Sequence, residues 1–440
     1  MLAFYGFLII AILLYLVLTK KTSVHFALVI IPTVIALIAG FSIGELGDFM
    51  GTGMANIAMT GIMITFAILF FGIMFDAGLF DPLINGIVKY AGGDPVKIAL
   101  GTAIIAMASH LDGSGSSTFL ITISALLPVY KALKMSPLTL AVIAALSAGT
   151  MNMVPWGGPT LRAATALNID VIELYSPLIP VQIVGLVCVL IAAYWLGKKE
   201  RKRVGISETA ATVNAEESDD FFGEEKDPSN EKLKRPKMLI PNLLLTIAVI
   251  VVLVMGIVPL ALPFVIGVPL ALMINYRKVT MQQERIEAHA RGAIYTSSVI
   301  FSAGIFTGIL AGTGMIEAMA SVSATAIPSG WGQALPVILA YLSMPLSLIF
   351  DPDSFYFGVL PVLSATAEAF GIQPETMGRA AILGQMTVGF PISPLTGSTF
   401  LLIGLAGVDL GDLQKKAIPL GFGITAVMAT VALLMGLLTN

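Results

Sequence analysis

The sequence predicts an all-α, polytopic membrane protein built from two inverted repeats, each with five transmembrane helices and one re-entrant hairpin. Three observations carry that expectation. Only 12% of the 440 residues are charged and 57% are hydrophobic, whereas soluble domains have about 25% charged residues. One long polar stretch divides the apolar sequence into halves of similar length. Those halves also match one another over a segment rich in proline and glycine.

The first uncharged window, Leu2–Leu18, is long enough to cross the ~30 Å hydrocarbon layer as a helix. It has no basic start or small-residue cleavage site, and Lys20-Lys21 follows, so it reads as a span rather than a signal peptide. Further crossings are expected at 24–41 and 57–80. The segment 98–133 is polar in its middle and reads as a hairpin that enters and leaves on one side. A broken helix at 138–166 and a span at 176–197 complete repeat 1, residues 1–197. Residues 198–237 open "KKERKR", pass through "EESDDFFGEEKD" and close "EKLKRPK". Mixed charge and low hydrophobicity there favour a flexible cytoplasmic linker. Repeat 2, residues 238–440, is expected to hold spans at 238–256, 259–275 and 293–316, a hairpin at 335–371, a broken helix at 376–406 and a last span at 417–438.

The duplication is read from residues 135–180, which align without a gap to 374–419. Pro155 falls on Pro394, Gly158 on Gly397, Thr160 on Thr399, Asp170 on Asp409 and Pro180 on Pro419. Five crossings per half invert the second half relative to the first. With Lys20-Lys21 inside, that topology puts every Lys and Arg except Arg162 and Arg379 on the cytoplasmic side, and both termini outside. That is the positive-inside bias, and the loops assigned outside, "GELGD" and "NIDVIELYS", are acidic. Inverted repeats are a hallmark of secondary transporters, although channels also use them.

Four segments break the apolar pattern, two per half: "HLDGSGSSTF" (110–119), "MNMVPWGGPT" (151–160), "FDPDSFYFG" (350–358) and "FPISPLTGST" (390–399). Irregular backbone at membrane depth survives only inside protein or around a wet cavity. The half-helix after each break offers free N–H groups and a positive dipole end, which suits an anion without a bare lysine. The plainer reading is a set of kinks or extramembrane turns, and four such segments at matching places weigh against it.

Asp112, Asp351 and Asp353 sit in the hairpins, where a carboxylate is costly. They are candidates for proton carriers, cation ligands or hydrogen-bond anchors of the tips. His110 is either part of a proton relay or a satisfied helix-end histidine. Asp76 lies near the inner end of its span, in a solvated or capping position. Arg162 can grip a substrate carboxylate, snorkel outward or pair with an acid. Trp156 is read as structural packing.

The single cysteine, Cys188, excludes a disulfide framework and a cysteine metal site. No nucleotide-binding loop, G-x-S-x-G elbow or H-E-x-x-H pair occurs, which speaks against ATP-driven transport and against an enzyme. No catalytic residue, resident metal site, tightly bound cofactor or nucleic-acid partner is expected. The lipid bilayer of the plasma membrane is.

The stretches "LDGSGSSTF", "MNMVPWGGPT", "FYFGVLP" and "SPLTGSTFLLIGLAGVDLGD" resemble the citrate–metal–proton symporter family, within the wider ion-transporter superfamily. The likeness covers the chain apart from the linker. It implies proton-driven uptake of citrate as a complex with a divalent cation, Mg²⁺-like or Ca²⁺-like. It also implies a scaffold domain and an elevator-like transport domain, assembled as a homodimer. By that resemblance Ser114, Gly115, Ser116, Ser117, Thr118, Asn152, Gly157, Gly158 and Thr160 line one side of the site. Asp353, Ser354, Ser393, Thr396, Gly397, Ser398 and Thr399 line the other. In some relatives a second acid follows two residues after the hairpin aspartate. Ser114 stands there instead, which leaves the metal preference open. A Na⁺-coupled carrier of another organic or inorganic anion is the nearest alternative, and an anion channel is the nearest one outside carriers.

Overall fold

Proline and capping side chains set where the helices of this chain begin. The computed structural model describes residues 1–19, 21–206, 232–255, 257–259, 261–328 and 331–439. Among these residues the structure is helical, with no strand. The first half runs α1 (Leu2–Leu18), α2 (Val24–Ile38), α3 (Ile43–Asn56), α4 (Ala58–Asp76), α5 (Asp81–Ala91), α6 (Pro95–Ser109), a 3₁₀ turn (His110–Asp112), α7 (Gly115–Ala132), α8 (Pro137–Met151), α9 (Gly158–Leu167), α10 (Val171–Tyr175) and α11 (Ile179–Val204). The second runs α12 (Leu239–Met255), α13 (Leu262–Asn275), α14 (Val279–Gly312), α15 (Met315–Ala326), α16 (Leu335–Leu346), a π-helical segment (Ser354–Val359), α17 (Leu360–Glu368), α18 (Pro374–Ile382), α19 (Gly397–Ala406) and α20 (Leu410–Leu434).

All four polar segments interrupt helices. The first separates α6 from α7, which pack on each other and on α8. The second separates α8 from α9. The third lies between α16 and α17, both of which pack on α18, and the fourth lies between α18 and α19. Aligned residues of the two halves do the same local work. Gly158 and Gly397 each open a half-helix. Thr160 and Thr399 each turn a hydroxyl back to a carbonyl of the preceding break, Met153 at 2.8 Å and Phe390 at 3.0 Å. Asp170 and Asp409 each cap the N-terminus of the helix that follows.

Several boundaries depart from expectation. The "GELGD" segment is not a loop but the start of α3, because Ser42 and Glu45 form a reciprocal capping box. The Ser42 N–H and hydroxyl hold the Glu45 carboxyl below its ordinary range. α11 continues past the expected end at 197, since its basic run finds partners. Arg201 pairs with Asp94, and buried Glu200 takes hydrogen bonds from Thr139 at 2.8 Å and Arg203 at 2.5 Å. α14 starts at Val279 rather than 293. Its 34 residues extend about 51 Å, well beyond a ~30 Å hydrocarbon layer. α20 likewise starts early, at the Asp409 cap.

Among the described residues five helices are long and apolar enough to cross a membrane: Ala58–Asp76, Val171–Val204, Pro236–Leu253, Val279–Gly312 and Leu410–Leu434. α1, α2, α8, α13, α16 and α19 contribute shorter apolar runs. Residues 207–231 of the expected linker lie outside the described residues.

The helices pack in two groups. α14 lies along α2, α3 and α4, with α1 on α2, α13 on α4 and α12 on α13. Gly53 permits the close approach of α3 to α14, for a Cβ there would fall 2.0 Å from the Gly304 carbonyl oxygen. The other group is α6 to α9, α11 and α16 to α20, where α11 packs on α6, α8 and α20 and α9 on α17 and α18. The groups meet where α9 touches α14, where the π-helical segment lies on α1, and where the His110–Asp112 turn lies on α4.

Candidate functional site

The breaks of the second group converge on one cavity of about 530 Å³. Its walls include Asp112–Ser116, Asn152, Trp156, Gly158, Arg162, Asp351–Asp353, Met386, Phe390 and Leu395–Ser398. The tip at 109–122 and the break at 390–399 therefore meet. Gly115 approaches so closely that a Cβ would lie 2.8 Å from Ser398 Oγ. The N-termini of α7, α9 and α19 open at Gly115, Gly158 and Gly397, all on the cavity wall.

Each tip is tied by an aspartate. Asp112 is buried; its carboxylate accepts the Ser114 N–H at 2.8 Å and the Ser117 hydroxyl. Asp351 accepts the N–H groups of Asp353 and Ser354 at 3.1 and 3.2 Å and the Ser354 hydroxyl. Both are thus bound as tip anchors while still lining the cavity. His110 is fully buried behind the wall, with Nδ1 2.8 Å from Thr118 Oγ1.

Arg162 and Asp353 resolve a choice that the sequence leaves open. Arg162 Nε donates to Asp353 Oδ1 at 2.7 Å, so the arginine pairs with an acid. The side chains are 12% and 17% exposed, which leaves both in contact with the cavity. The bond also joins α9 of the first half to the break between α16 and α17 in the second. A second tie crosses the halves: Asn152 Nδ2 donates to the Met386 carbonyl at 2.7 Å. Trp156 donates Nε1 to the Leu111 carbonyl at 2.6 Å and stacks on Phe71 of α4, so it joins both helix groups.

Not every expected residue reaches the cavity. Ser117, Thr118, Gly157, Thr160, Ser354, Ser393, Thr399 and His110 stand behind the wall. Their polar atoms serve the breaks: Thr118 donates to Ser114 O at 2.7 Å and Ser393 to Ser347 O at 2.6 Å. Gly157 is a spacer, since a Cβ there would fall 2.0 Å from the Asn152 carbonyl oxygen. Conversely, the first helix group supplies a wall that no motif announces: Val17, Val24, Ile64, Ala67, Ile68, Gly292, Tyr295 and Thr296. Asp76, expected in a solvated or capping position, is an ion-pair partner instead: Arg285 and His289 of α14 bind it at 3.2 and 2.9 Å.

A family model described as citrate transporter matches residues 5–384. The chain belongs to the citrate transporter family. Across its full length this family member is 46% identical over 439 residues to a citrate transporter of Bacillus subtilis (strain 168), covering 100% of both chains. It is 45% identical over 436 residues, 99% of each chain, to the Mg(2+)/citrate complex secondary transporter of the same organism. These relatives are transporters, and the family member is a transporter rather than an enzyme. Its fold is shared with the YdaH transporter of Alcanivorax borkumensis, with a TM-score of 0.62, 15% identity and 91% of each chain covered. The apolar helices and the family together make it a multi-pass membrane protein.

Among the described residues no three His, Cys, Asp or Glu side chains group closely enough to hold a metal ion. The cavity presents three carboxylates, Asp112, Asp351 and Asp353, against the single guanidinium of Arg162. The three helix N-termini add positive partial charge.

Proposed function

We propose that this protein is a secondary active transporter that imports citrate as its complex with a divalent cation, together with protons, by alternating access. The observation that carries the reading is the charge of the cavity. A bare tricarboxylate meets three carboxylates and one arginine already engaged by Asp353. A metal–citrate complex brings its own cation, so its remaining negative charge suits hydroxyls and helix ends while the metal offsets the acids. The cavity volume of about 530 Å³ falls in the ~300–1,000 Å³ range of small-molecule sites. The relative named for a Mg(2+)/citrate complex makes Mg²⁺ the first cargo metal to test.

The two interrupted hairpins are re-entrant in this reading, and the halves are inverted. The shared roles of Gly158 with Gly397, Thr160 with Thr399 and Asp170 with Asp409 support a duplication. The group holding the breaks moves as the transport domain against a scaffold of α1–α4 and α12–α14, in a plasma-membrane homodimer. By the positive-inside bias the termini lie outside and the linker is cytoplasmic. Val17 and Val24 then flank a cytoplasmic loop. Their place on the cavity wall supports an inward-facing state.

The test is uptake of labelled citrate into proteoliposomes across Mg²⁺, Ca²⁺, Zn²⁺ and chelator. Uptake is expected to need a divalent ion, to collapse with an uncoupler and to ignore replacement of Na⁺ by choline. Metal-independent uptake overturns the proposal, and flux without accumulation against a gradient makes the protein a channel.

A further inference from the structure

One face of α14 runs from a partly buried ion pair to the cavity wall. Arg285, His289, Gly292 and Thr296 follow one another at steps of four, three and four, which stacks them along the helix. Gly292 and Thr296 line the cavity, while Arg285 and His289 lie toward the helix start. His289 Nε2 is 2.9 Å from Asp76 Oδ2, and Arg285 donates to the same oxygen at 3.2 Å. The His289 ring lies on Gly72 of α4, where a Cβ would meet the ring at 2.5 Å. The neighbouring Phe71 stacks on Trp156, and Trp156 holds the carbonyl of Leu111, the residue before Asp112. The His110–Asp112 turn itself packs on α4.

We propose that His289, oriented by Asp76, relays protons between Asp112 and the cytoplasm. The proposal rests on the proton-coupled reading above. In the neutral ring Nε2–H donates to Asp76, which fixes the tautomer and leaves the Nδ1 lone pair free. Among the described residues no hydrogen bond engages Nδ1, which lies beside Gly72 of α4, and the side chain is 24% exposed. The proton leaves the Asp112 carboxyl and binds Nδ1, directly or through water, giving an imidazolium opposite Asp76. That Nδ1–H then passes to cytoplasmic water and the neutral ring returns. Arg285 shares the Asp76 oxygen, which weakens the grip of Asp76 on the imidazolium and favours release. Asp76 of α4 and Arg285 of α14 face His289, with Tyr276 near Asp76 and Arg285, and Asp112 stands in the turn that packs on α4. Asp112 belongs to one helix group, and Asp76 and His289 to the other. The relay therefore connects only while the tip lies against α4.

The test uses the full chain in proteoliposomes with a lumenal pH dye. It compares Mg²⁺–citrate homoexchange at equal pH with net uptake driven by a pH gradient. In His289→Gln, net uptake and lumenal acidification are expected to fall at least about tenfold, and homoexchange to stay within about twofold. Imidazole trapped in the lumen should restore net uptake. Asp76→Asn should lower net uptake less and move its pH profile to more acid values, because the imidazolium loses its counter-charge. Equal loss of exchange and net uptake in His289→Gln, or net uptake at the wild-type rate, overturns the relay. Wild-type uptake without lumenal acidification instead overturns proton coupling itself.

Discussion

Arg162 Nε bonds Asp353 Oδ1 at 2.7 Å, which joins the half-helix α9 of the first half to the break between α16 and α17 in the second at the cavity wall. Loss of one partner leaves the other's charge partly buried. Arg162→Gln or Asp353→Asn alone should destabilise by about 2–3 kcal/mol, below the ~3–5 kcal/mol of a fully buried pair, since both ends keep contact with the cavity. The double variant should lose less than the sum. In transport the two should differ. Arg162→Gln leaves the cavity acids uncompensated and should weaken apparent citrate affinity by about tenfold, or ~1.4 kcal/mol. Melting in detergent and uptake kinetics read both effects, and strict additivity would deny the coupling.

Two glycine positions, one in each half of the chain, separate fold from cargo space. A Cβ on Gly397 meets no atom within 4 Å, although the residue lines the cavity at the start of α19. Gly397→Ala should therefore keep its melting temperature, with a stability change of about ±0.5 kcal/mol, and yet raise the KM for metal–citrate. Gly157→Ala places a Cβ 2.0 Å from the Asn152 carbonyl oxygen, outside the cavity wall. It should lower stability first. A Gly397→Ala transporter with unchanged KM would put the cargo elsewhere.

The state of the carrier is readable through cysteines, because Cys188 is the chain's single one. In a Cys188→Ala background, cysteines placed at Ser116 and Tyr295, both exposed on the cavity wall, should react with an impermeant maleimide in inside-out vesicles. Mg²⁺–citrate should slow the reaction at Ser116→Cys. A cysteine at Asn168, beside Asn56 and Thr60 in a separate pocket of about 370 Å³, should react from the outside. Reversed sidedness at all three would invert the topology.

Legibility in the sequence follows from how far apart the interacting residues stand. The four breaks are readable because Gly, Pro and Ser act locally, and a half-helix opening at Gly158 or Gly397 needs no distant partner. The α3 helix was hidden by acidic residues, although Ser42 with Glu45 three residues on is a local capping signal. The early start of α14 is harder. "QQERIEAHAR" looks like loop to a hydropathy scan, and it is helical here with Arg285 and His289 both paired to Asp76, about two hundred residues away. The partner of Arg162 is legible only as one of several options for the same reason. The apolar wall from Ile64, Ala67 and Ile68 carries no motif at all, since those side chains become a site only when another helix group is laid beside them.

Asn152 makes the last of the ties testable. It is 2% exposed, and its Nδ2–H donates to the Met386 carbonyl at 2.7 Å. Met386 has a φ of 55°, an uncommon conformation for a residue with a side chain. Its N–H is held by Gln385 Oε1 at 2.7 Å and Ser347 Oγ at 3.1 Å, so Asn152 secures the opposite end of a constrained unit. Asn152→Ala leaves a buried carbonyl unmet and should cost about 1–3 kcal/mol. Asn152→Asp should cost more at neutral pH, because a carboxylate offers that carbonyl only acceptors. Both should slow metal–citrate uptake more than their stability loss explains, since Asn152 and Met386 also line the cavity. If Asn152→Asp melts with the wild type and transports at its rate, the bond between the two interrupted helices does not hold them in register.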